Sequence, residues 1–460
     1  MTRRSDPRSP LPLDNVISKT KTTCACRFLS VSIAFFAFRF LASAQTNTNA
    51  PTLSLPQARE TALERNWDLL AAKSGIDAAS AQLIVSKEFP NPTASWSTAR
   101  IGTHENSSVL GNSLWERNYD TIFAINQLIE IAGKRRDRQT AARAGVVGAK
   151  ARFYDARRTL DQGVTKAYVA ALLAEENVHI LTNSAGLLRH EADIAQSRFQ
   201  AGDLSESDKK QIEINAEQFE LQAKSAETAA LQARIAVEVL MGVPHPDGSW
   251  VSDGSLEQLA QAPVSSVSQP APDSARPDAL AAMADINAAK ANLELQKALR
   301  IPDPTIMVGV EHNPPGGAPG PAEDTFLIGI TFPLPLWNLN GGSIKAARAN
   351  VDQLISAEGK VRTQIAADIA NAKSEYDEAH ERWLRYRDQT APKSASVRDS
   401  VAFAYGRGGA SLVDLLNAEQ TDNTVRLAVA QAMNDTANAI ADLLAARNVL
   451  DQSELDARKK

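Results

Sequence analysis

The chain has 460 residues, with 49 Lys and Arg against 54 Asp and Glu, a formal net charge of −5. This acidic balance argues against a nucleic-acid partner. Its only two cysteines, Cys24 and Cys26, leave no basis for a disulfide scaffold or a thiolate metal site.

Residues 1–44 read as a secretory signal peptide. Arg3, Arg4, Lys19, Lys21 and Arg27 precede the apolar run 28–41, which ends in Ala42-Ser43-Ala44, a small-residue pattern for cleavage after Ala44. Arg39 interrupts the run and the basic region is long. A buried or membrane-anchoring helix is the other reading, but the run falls short of the ~20 residues that span a bilayer. Removal of 1–44 leaves 42 positive against 52 negative charges, a net of −10, and takes both cysteines with it. No cysteine then stands behind the run for lipidation. No later segment reaches ~18 consecutive apolar residues. Such an exported chain is periplasmic, secreted, or an outer-membrane barrel.

A helix is expected over 53–88, ending at "FPNP", where Pro90 and Pro92 cannot continue a helix and bias their predecessors to extended structure. Strands follow over 93–101 and 119–131, around the polar loop "THENSSVLGNSLWERN". From Lys134 to Ala201 there is no proline, and a helix of that length would reach ~100 Å. Its seam, Leu160, Val164, Ala167, Ala171, Ala174, Val178, Leu181, Ala185, Leu188, Ala192, Ala195 and Phe199, keeps 4-3 spacing, as in a coiled coil with closely approaching backbones. The break Gly202-Asp203-Leu204-Ser205 precedes a returning helix. Residues 243–275 read as a linker.

The second half repeats this order. A helix over 277–300 meets "IPDP", with Pro302 and Pro304. Two strands then alternate cleanly: Ile306, Val308 and Val310 share one face, and Phe326, Ile328, Ile330 and Phe332 share another, around "HNPPGGAPGPAED". Pro333 and Pro335 stop the ladder, Trp337 suits an interfacial aromatic belt, and Gly341-Gly342 offers freedom to redirect the chain into a helix more than sixty residues long. That helix breaks at Gly408-Gly409-Ala410-Ser411. The returning helix carries a second seam, Val425, Val429, Ala432, Thr436, Ala439, Leu443, Ala446 and Leu450.

"FPNP" and "IPDP" lie 212 residues apart, and "FQAGDLSESDKKQIE" precedes "YGRGGASLVDLLNAE" by 206. Matching marks in the same order indicate an internal duplication, with repeats at 45–242 and 276–460. The strands over 93–101 and 119–131 alternate less cleanly, but the second pair, with one apolar and one smaller, more polar face, suits a barrel wall between lipid and a wet lumen. A soluble sandwich is the competing reading, but four strands beside such helices would cover little core. Four strands cannot close a barrel. Two copies would give eight strands, filled by their own side chains, so a pore requires at least three copies and twelve strands. Both strand pairs begin and end on one side, so the helices lie together on that side, in the periplasm.

The motifs "LSLPQARETALERNWDL", "QLIEIAGKRRDR", "RPDALAA", "IPDPTIMVGVE", "FPLPLWNLNGGSIKAARA" and "YGRGGASLVDLLNAEQ" resemble, over nearly the whole mature chain, the TolC-type outer-membrane efflux proteins. They are most similar to the branch serving cobalt-zinc-cadmium heavy-metal efflux. Trp67 stands where that family often has proline, and Ala132 where it often has glycine. The resemblance implies a homotrimer in the outer membrane, a twelve-stranded β-barrel continued by a periplasmic α-helical barrel. It also implies a periplasmic adaptor and an inner-membrane resistance-nodulation-division pump as partners. Adaptor-facing tips would fall at Gly202, Asp203, Leu204 and Ser205 and at Gly408, Gly409, Ala410 and Ser411. A helix interrupted by Gly and restarted by Ser is what a tight helical hairpin needs, with Ser205 and Ser411 as N-caps. The plainer reading is that these residues only turn the chain.

Asp203, Glu206, Asp208, Asp414 and Glu419 would form cation-attracting rings if they face a lumen, with Asp208 and Asp414 tuning the entrance. An ordinary solvated helix face is the alternative. The histidines show no metal-ligand spacing, and no phosphate loop, dinucleotide fingerprint or Gly-x-Ser-x-Gly occurs, so no cofactor and no enzymatic activity are expected. Two other functions fit parts of the pattern. One is drug efflux or type I secretion through the same architecture. The other is a soluble periplasmic coiled-coil adaptor or scaffold, which explains the seams but not the strand pairs.

Overall fold

The computed structural model describes residues 51–99, 120–262, 276–313 and 323–448. The proposed signal peptide, His104, Ile101, Tyr119, Leu450, most of both strand-connecting loops and the stretch 263–275 lie outside them.

In chain order the elements are β1 (Thr52–Ser54), α1 (Leu55–Arg65), α2 (Trp67–Val85), β2 (Thr93–Ala99), β3 (Asp120–Leu128), α3 (Lys134–Ala201) and α4 (Glu206–Leu240). Then come β4 (Val251–Asp253), α5 (Leu256–Ala260), α6 (Pro277–Ala298), β5 (Thr305–Asn313), β6 (Glu323–Thr331), α7 (Gly341–Arg385), α8 (Ala391–Gly406) and α9 (Leu412–Ala446). The chain is mainly helical with a small β part, as expected.

Helix α3 is unbroken over its 68 residues. Of its seam, Val164, Ala171, Leu181, Ala185, Leu188, Ala192 and Ala195 are buried. Towards its far end they meet Ile212, Ala216 and Phe219 of α4 in one cluster. In α9, Ala432, Thr436, Ala439, Leu443 and Ala446 are buried. Small residues on both seams let the helices pack closely along their length.

Three features depart from the sequence reading. First, the expected single helix over 53–88 is a strand and two helices. Asn66 leaves the helical region (φ −60°, ψ 128°) and its side chain accepts hydrogen bonds from the Asp68 and Leu69 N–H groups, capping α2. Asn66 also donates to the Leu240 carbonyl at 2.9 Å, and Gly242 (φ 73°) passes so close that a Cβ there would collide with the Arg65 carbonyl. The break is therefore held by tertiary contact. Trp67 occupies the first helical position of α2, where proline is well tolerated.

Second, 243–275 is more than a linker. Over its described part it supplies β4, which pairs in parallel with β1, and α5, which packs on α9. The Tyr168 hydroxyl lies 2.8 Å from the Leu53 carbonyl and 3.1 Å from that of Asp253, bracing both strands from α3. Trp250 stacks on the Tyr168 ring, at 5.9 Å between centroids, within a core that includes Ala58, Val164 and Val237.

Third, the second long helix is interrupted by a π-helical turn at Tyr386–Thr390. Pro392 follows immediately; it has no N–H and its ring crowds the preceding turn, and a wider turn relieves both.

Candidate functional site

Strands β2, β3, β5 and β6 form one antiparallel sheet in that order, with β2 and β6 as open edges. Register places Trp96 opposite Phe123, Phe123 opposite Val310, and Val310 opposite Phe326. The next row on the same face joins Ile125, Val308 and Ile328, and beyond it Ile306 faces Ile330. These large apolar side chains are exposed, Ile328 by 73% and Phe326 by 68%. A water-facing sheet would not present them as a continuous face. The opposite face carries Ser95, Ala124, Gly309 and Leu327 in one row and Thr93, Asn126, Met307 and Gly329 in another. A Cβ on Gly309 would run into Phe123 and Ala124, so glycine is required where β5 crosses β3. One lipid-type face, one face of mostly smaller or more polar residues and two unsatisfied edges are the properties of a barrel segment.

The proline-marked rim lies where this sheet meets the helices. Pro302 and Pro304 precede β5, and the Pro304 carbonyl accepts the Ile129 N–H at 2.9 Å, extending the ladder beyond β3. The Pro90 carbonyl accepts from the Gln127 side chain, while Pro92 leads directly into β2. Strand β6 stops at Thr331, before Pro333 and Pro335, and Trp337 is 93% exposed. The turn into α7 is made by Asn340 rather than by Gly341-Gly342, which already belong to the helix. Asn340 takes the left-handed conformation (φ 56°), and its side chain donates to the Gln296 carbonyl at 2.8 Å. At the corresponding turn into α3, Ala132 (φ 60°) and Gly133 (φ 78°) are both left-handed.

The first residue of α3, Lys134, is buried at this rim. Its ammonium lies 2.7 Å from Asp303 and 2.5 Å from the Ile301 carbonyl. Sequence reasoning missed this pair; the signal available was a lysine directly after a helix-starting glycine and an aspartate between two prolines.

At the far end of the helices the two breaks lie side by side. Gly202 (φ 82°) ends α3: its N–H bonds to the Phe199 carbonyl and the Asp203 N–H to that of Arg198, a Schellman closure. Gly408 (φ 77°) ends α8 in the same way, with Gly408 bonding Tyr405 and Gly409 bonding Ala404. Ser205 caps α4 by accepting the Asp208 N–H at 3.1 Å, and Ser411 caps α9 by accepting the Asp414 N–H at 3.2 Å. Leu204 from one break and Leu412 from the start of α9 pack on the same cluster, and Arg198 lies over the Tyr405 ring. Ala410 sits between Gly409 and the Ser411 cap.

The acidic candidates are not equivalent. Glu206 pairs with Lys210 at 2.7 Å. The Asp414 carboxylate accepts from the Ser411 hydroxyl at 2.7 Å and its N–H at 3.0 Å. Those bonds, the hydroxyl's first, hold the Asp414 carboxyl below the usual range. Glu419 is half-buried, and burial pushes its carboxyl up against the opposing pull of Arg398. Beside it, Asp422 is buried between Arg398 and Arg426, at 2.6 and 2.8 Å. Asp203 and Asp208 are exposed beside the first break.

Among the described residues no three His, Asp or Glu side chains converge as a metal site, and no helix is long and apolar enough to cross a membrane. His312 bonds Asp324 at 2.7 Å across the β5–β6 hairpin.

This architecture has known counterparts. A membrane protein from Pseudomonas aeruginosa superposes with a TM-score of 0.72 at 19% identity, over 85% of this chain and 92% of the other. CusC, whose crystal structures concern folding and transmembrane channel formation, gives 0.68 at 16% identity, over 85% and 91%. In sequence, the cobalt-zinc-cadmium resistance protein CzcC of Cupriavidus metallidurans is 22% identical over 372 residues, 81% of this chain and 84% of that protein. The Outer membrane efflux protein family matches residues 58–243 and 273–449. With its long helices, its small open-edged sheet and a match across both halves, the chain belongs to the Outer membrane efflux protein family.

Proposed function

We propose that three copies of this chain close a twelve-stranded barrel in the outer membrane, and that this homotrimer is the exit duct of a tripartite efflux system. The observation that carries the reading is the sheet itself: four strands with an exposed apolar face and two open edges, which only neighbouring copies can satisfy. The duct is passive. Energy comes from an inner-membrane resistance-nodulation-division pump, reached through a periplasmic adaptor that docks on the tips at Gly202–Ser205 and Gly408–Ser411. Asp208 and Asp414 tune the entrance between the tips. The cargo is heavy-metal cations, a reading supported by the resemblance to a cobalt-zinc-cadmium resistance protein. Residues 45–242 and 276–460 are the two repeats of one unit, preceded by a signal peptide at 1–44.

Fractionation tests the duct: the mature chain should sediment with outer membranes and run on gels as an oligomer that dissociates on heating to three chains. A soluble single chain would end this reading. Cargo is tested in a deletion strain, which should become sensitive to zinc, cobalt or cadmium and regain resistance with the gene restored.

A further inference from the structure

The outward face of the sheet is too short to cross a membrane alone. On β6 and just beyond it, the apolar positions run from Phe326 to Phe332, ~20 Å along the strand and ~14 Å across a bilayer at a ~45° tilt. An outer-membrane barrel needs an apolar band of ~25 Å. The band cannot continue past Phe326, because the next outward position holds the His312–Asp324 pair. The missing height lies at the helical end.

There the structure exposes Leu334, Leu336, Trp337 and Leu339 on the loop after β6, and Phe89 before β2. Lys87, Arg135, Arg300, Lys345 and Arg348 stand at or next to the helix ends that adjoin the rim. Among the described residues none of the five has a carboxylate partner: Arg135 donates to the Lys87 carbonyl and covers the Phe89 ring, and Arg300 donates to the Leu339 carbonyl. Their neighbours Lys134, Arg136 and Arg138 are paired with Asp303, Asp137 and Glu130. Glu88, Asp352 and Glu294 are exposed carboxylates of the same segments, and Glu294 is paired with Lys297 at 2.6 Å. A surplus of cations without carboxylate partners beside exposed leucines and a tryptophan, in a chain whose mature form is acidic, matches the boundary between acyl chains and anionic headgroups.

We infer that this rim is a docking surface for the anionic phospholipids of the periplasmic leaflet. Residues 332–339 lie among the acyl chains, and Lys87, Arg135, Arg300, Lys345 and Arg348 hold the phosphates. The inference rests on the barrel reading above.

The test places the full mature protein in nanodiscs containing phosphatidylcholine and phosphatidylglycerol, with bromine on the chains of one lipid or the other. The Trp337 signal is taken as the difference between wild type and Trp337→Phe. Bromine on either lipid should quench Trp337, with phosphatidylglycerol enriched at the rim. Each cation removed in the series Arg300→Gln, Lys345→Gln and Arg348→Gln should lower that enrichment about fivefold. Arg300→Lys and Arg348→Lys should keep it, and raising salt from ~0.05 to ~0.5 M should weaken it in the wild type, a check that holds even if a Gln variant fails to assemble. An unquenched Trp337, or equal enrichment of both lipids at low salt, overturns the inference. A protein that inserts and conducts yet shows no lipid preference refutes this docking surface alone; one that never enters the membrane refutes the barrel as well.

Discussion

Lys134 and Asp303 form a 2.7 Å ion pair that ties the start of α3 to the Pro-x-Pro segment before β5, 169 residues later. The Lys134 side chain is only 4% exposed, and Asp303 also accepts the Ile131 N–H at 2.9 Å. One interaction therefore fixes both sides of the junction between sheet and helices. Lys134→Ala leaves a largely buried carboxylate with a single N–H donor, and the expected loss is ~3 kcal/mol. Combining it with Asp303→Asn removes the uncompensated charge and should recover part of that loss. Apparent melting temperatures of the detergent-solubilised protein, followed by circular dichroism, check both changes.

The two turns into the long helices are built differently, and that difference is measurable. Ala132 holds a left-handed conformation that places its Cβ against the backbone, a cost of ~1 kcal/mol that glycine does not incur. Ala132→Gly should raise the melting temperature. Asn340 tolerates the same conformation better and gains the Gln296 bond, so Asn340→Ala should destabilise by ~1–2 kcal/mol. If both substitutions lower stability, strain at Ala132 is not the controlling term.

These turns also mark where reading the sequence succeeds and where it stops. The seams of α3 and α9, the proline rims and the alternation in β5 and β6 are local periodicities or local steric prohibitions, and they are legible in one sequence. Gly341-Gly342 is the residue pair that local chemistry favours for the turn into α7, yet Asn340 makes it, because its side chain finds Gln296 across the junction. Asn66 breaks the first helix through contacts with residues near 240, and β1 pairs with β4 about 200 residues away. Three-residue parallel strands have no pattern of their own to read. Pro392 is plain in the sequence, but a single proline inside a helical pattern does not specify the π-turn that accommodates it. At the tips, Gly202, Ser205, Gly408 and Ser411 could be found because left-handed closure and N-capping restrict residue type.

Arg276 explains the "RPDALAA" stretch. Pro277 starts α6, and the buried Arg276 guanidinium reaches Asp278 at 2.6 Å and Asp368 of α7 at 3.1 Å. Burial alone would push the Asp278 carboxyl up, but the Arg276 hydrogen bonds and charge outweigh it and hold it below its ordinary value. A depressed carboxylate contributes stability above its unfolded pKa of ~4 and loses it as pH falls through the folded value. Asp278→Asn should therefore be less stable than wild type at neutral pH, by ~1–2 kcal/mol, and the two should converge once pH has fallen below the depressed folded value. Melting curves across that range decide it, and a gap that stayed constant with pH would exclude the ion pair as its cause.

Asp414 presents two roles that one pair of measurements separates. Its carboxylate closes a capping box with Ser411, which keeps it ionised to lower pH than an ordinary aspartate. The cap is therefore complete above pH ~4 and is lost as pH falls through the depressed value. Protection of the first-turn amides of α9, taken relative to intrinsic exchange at each pH, should fall over that interval in the wild type and should not in Asp414→Asn. Ser411→Ala removes the cap at every pH and should speed exchange about fivefold. Charge at an entrance predicts something else: Asp414→Asn should reduce cation preference in single-channel recordings, and Ser411→Ala should leave it intact. If Asp414→Asn changes exchange but neither conductance nor ion preference, Asp414 serves the helix alone, and the proposal that it tunes an entrance is overturned.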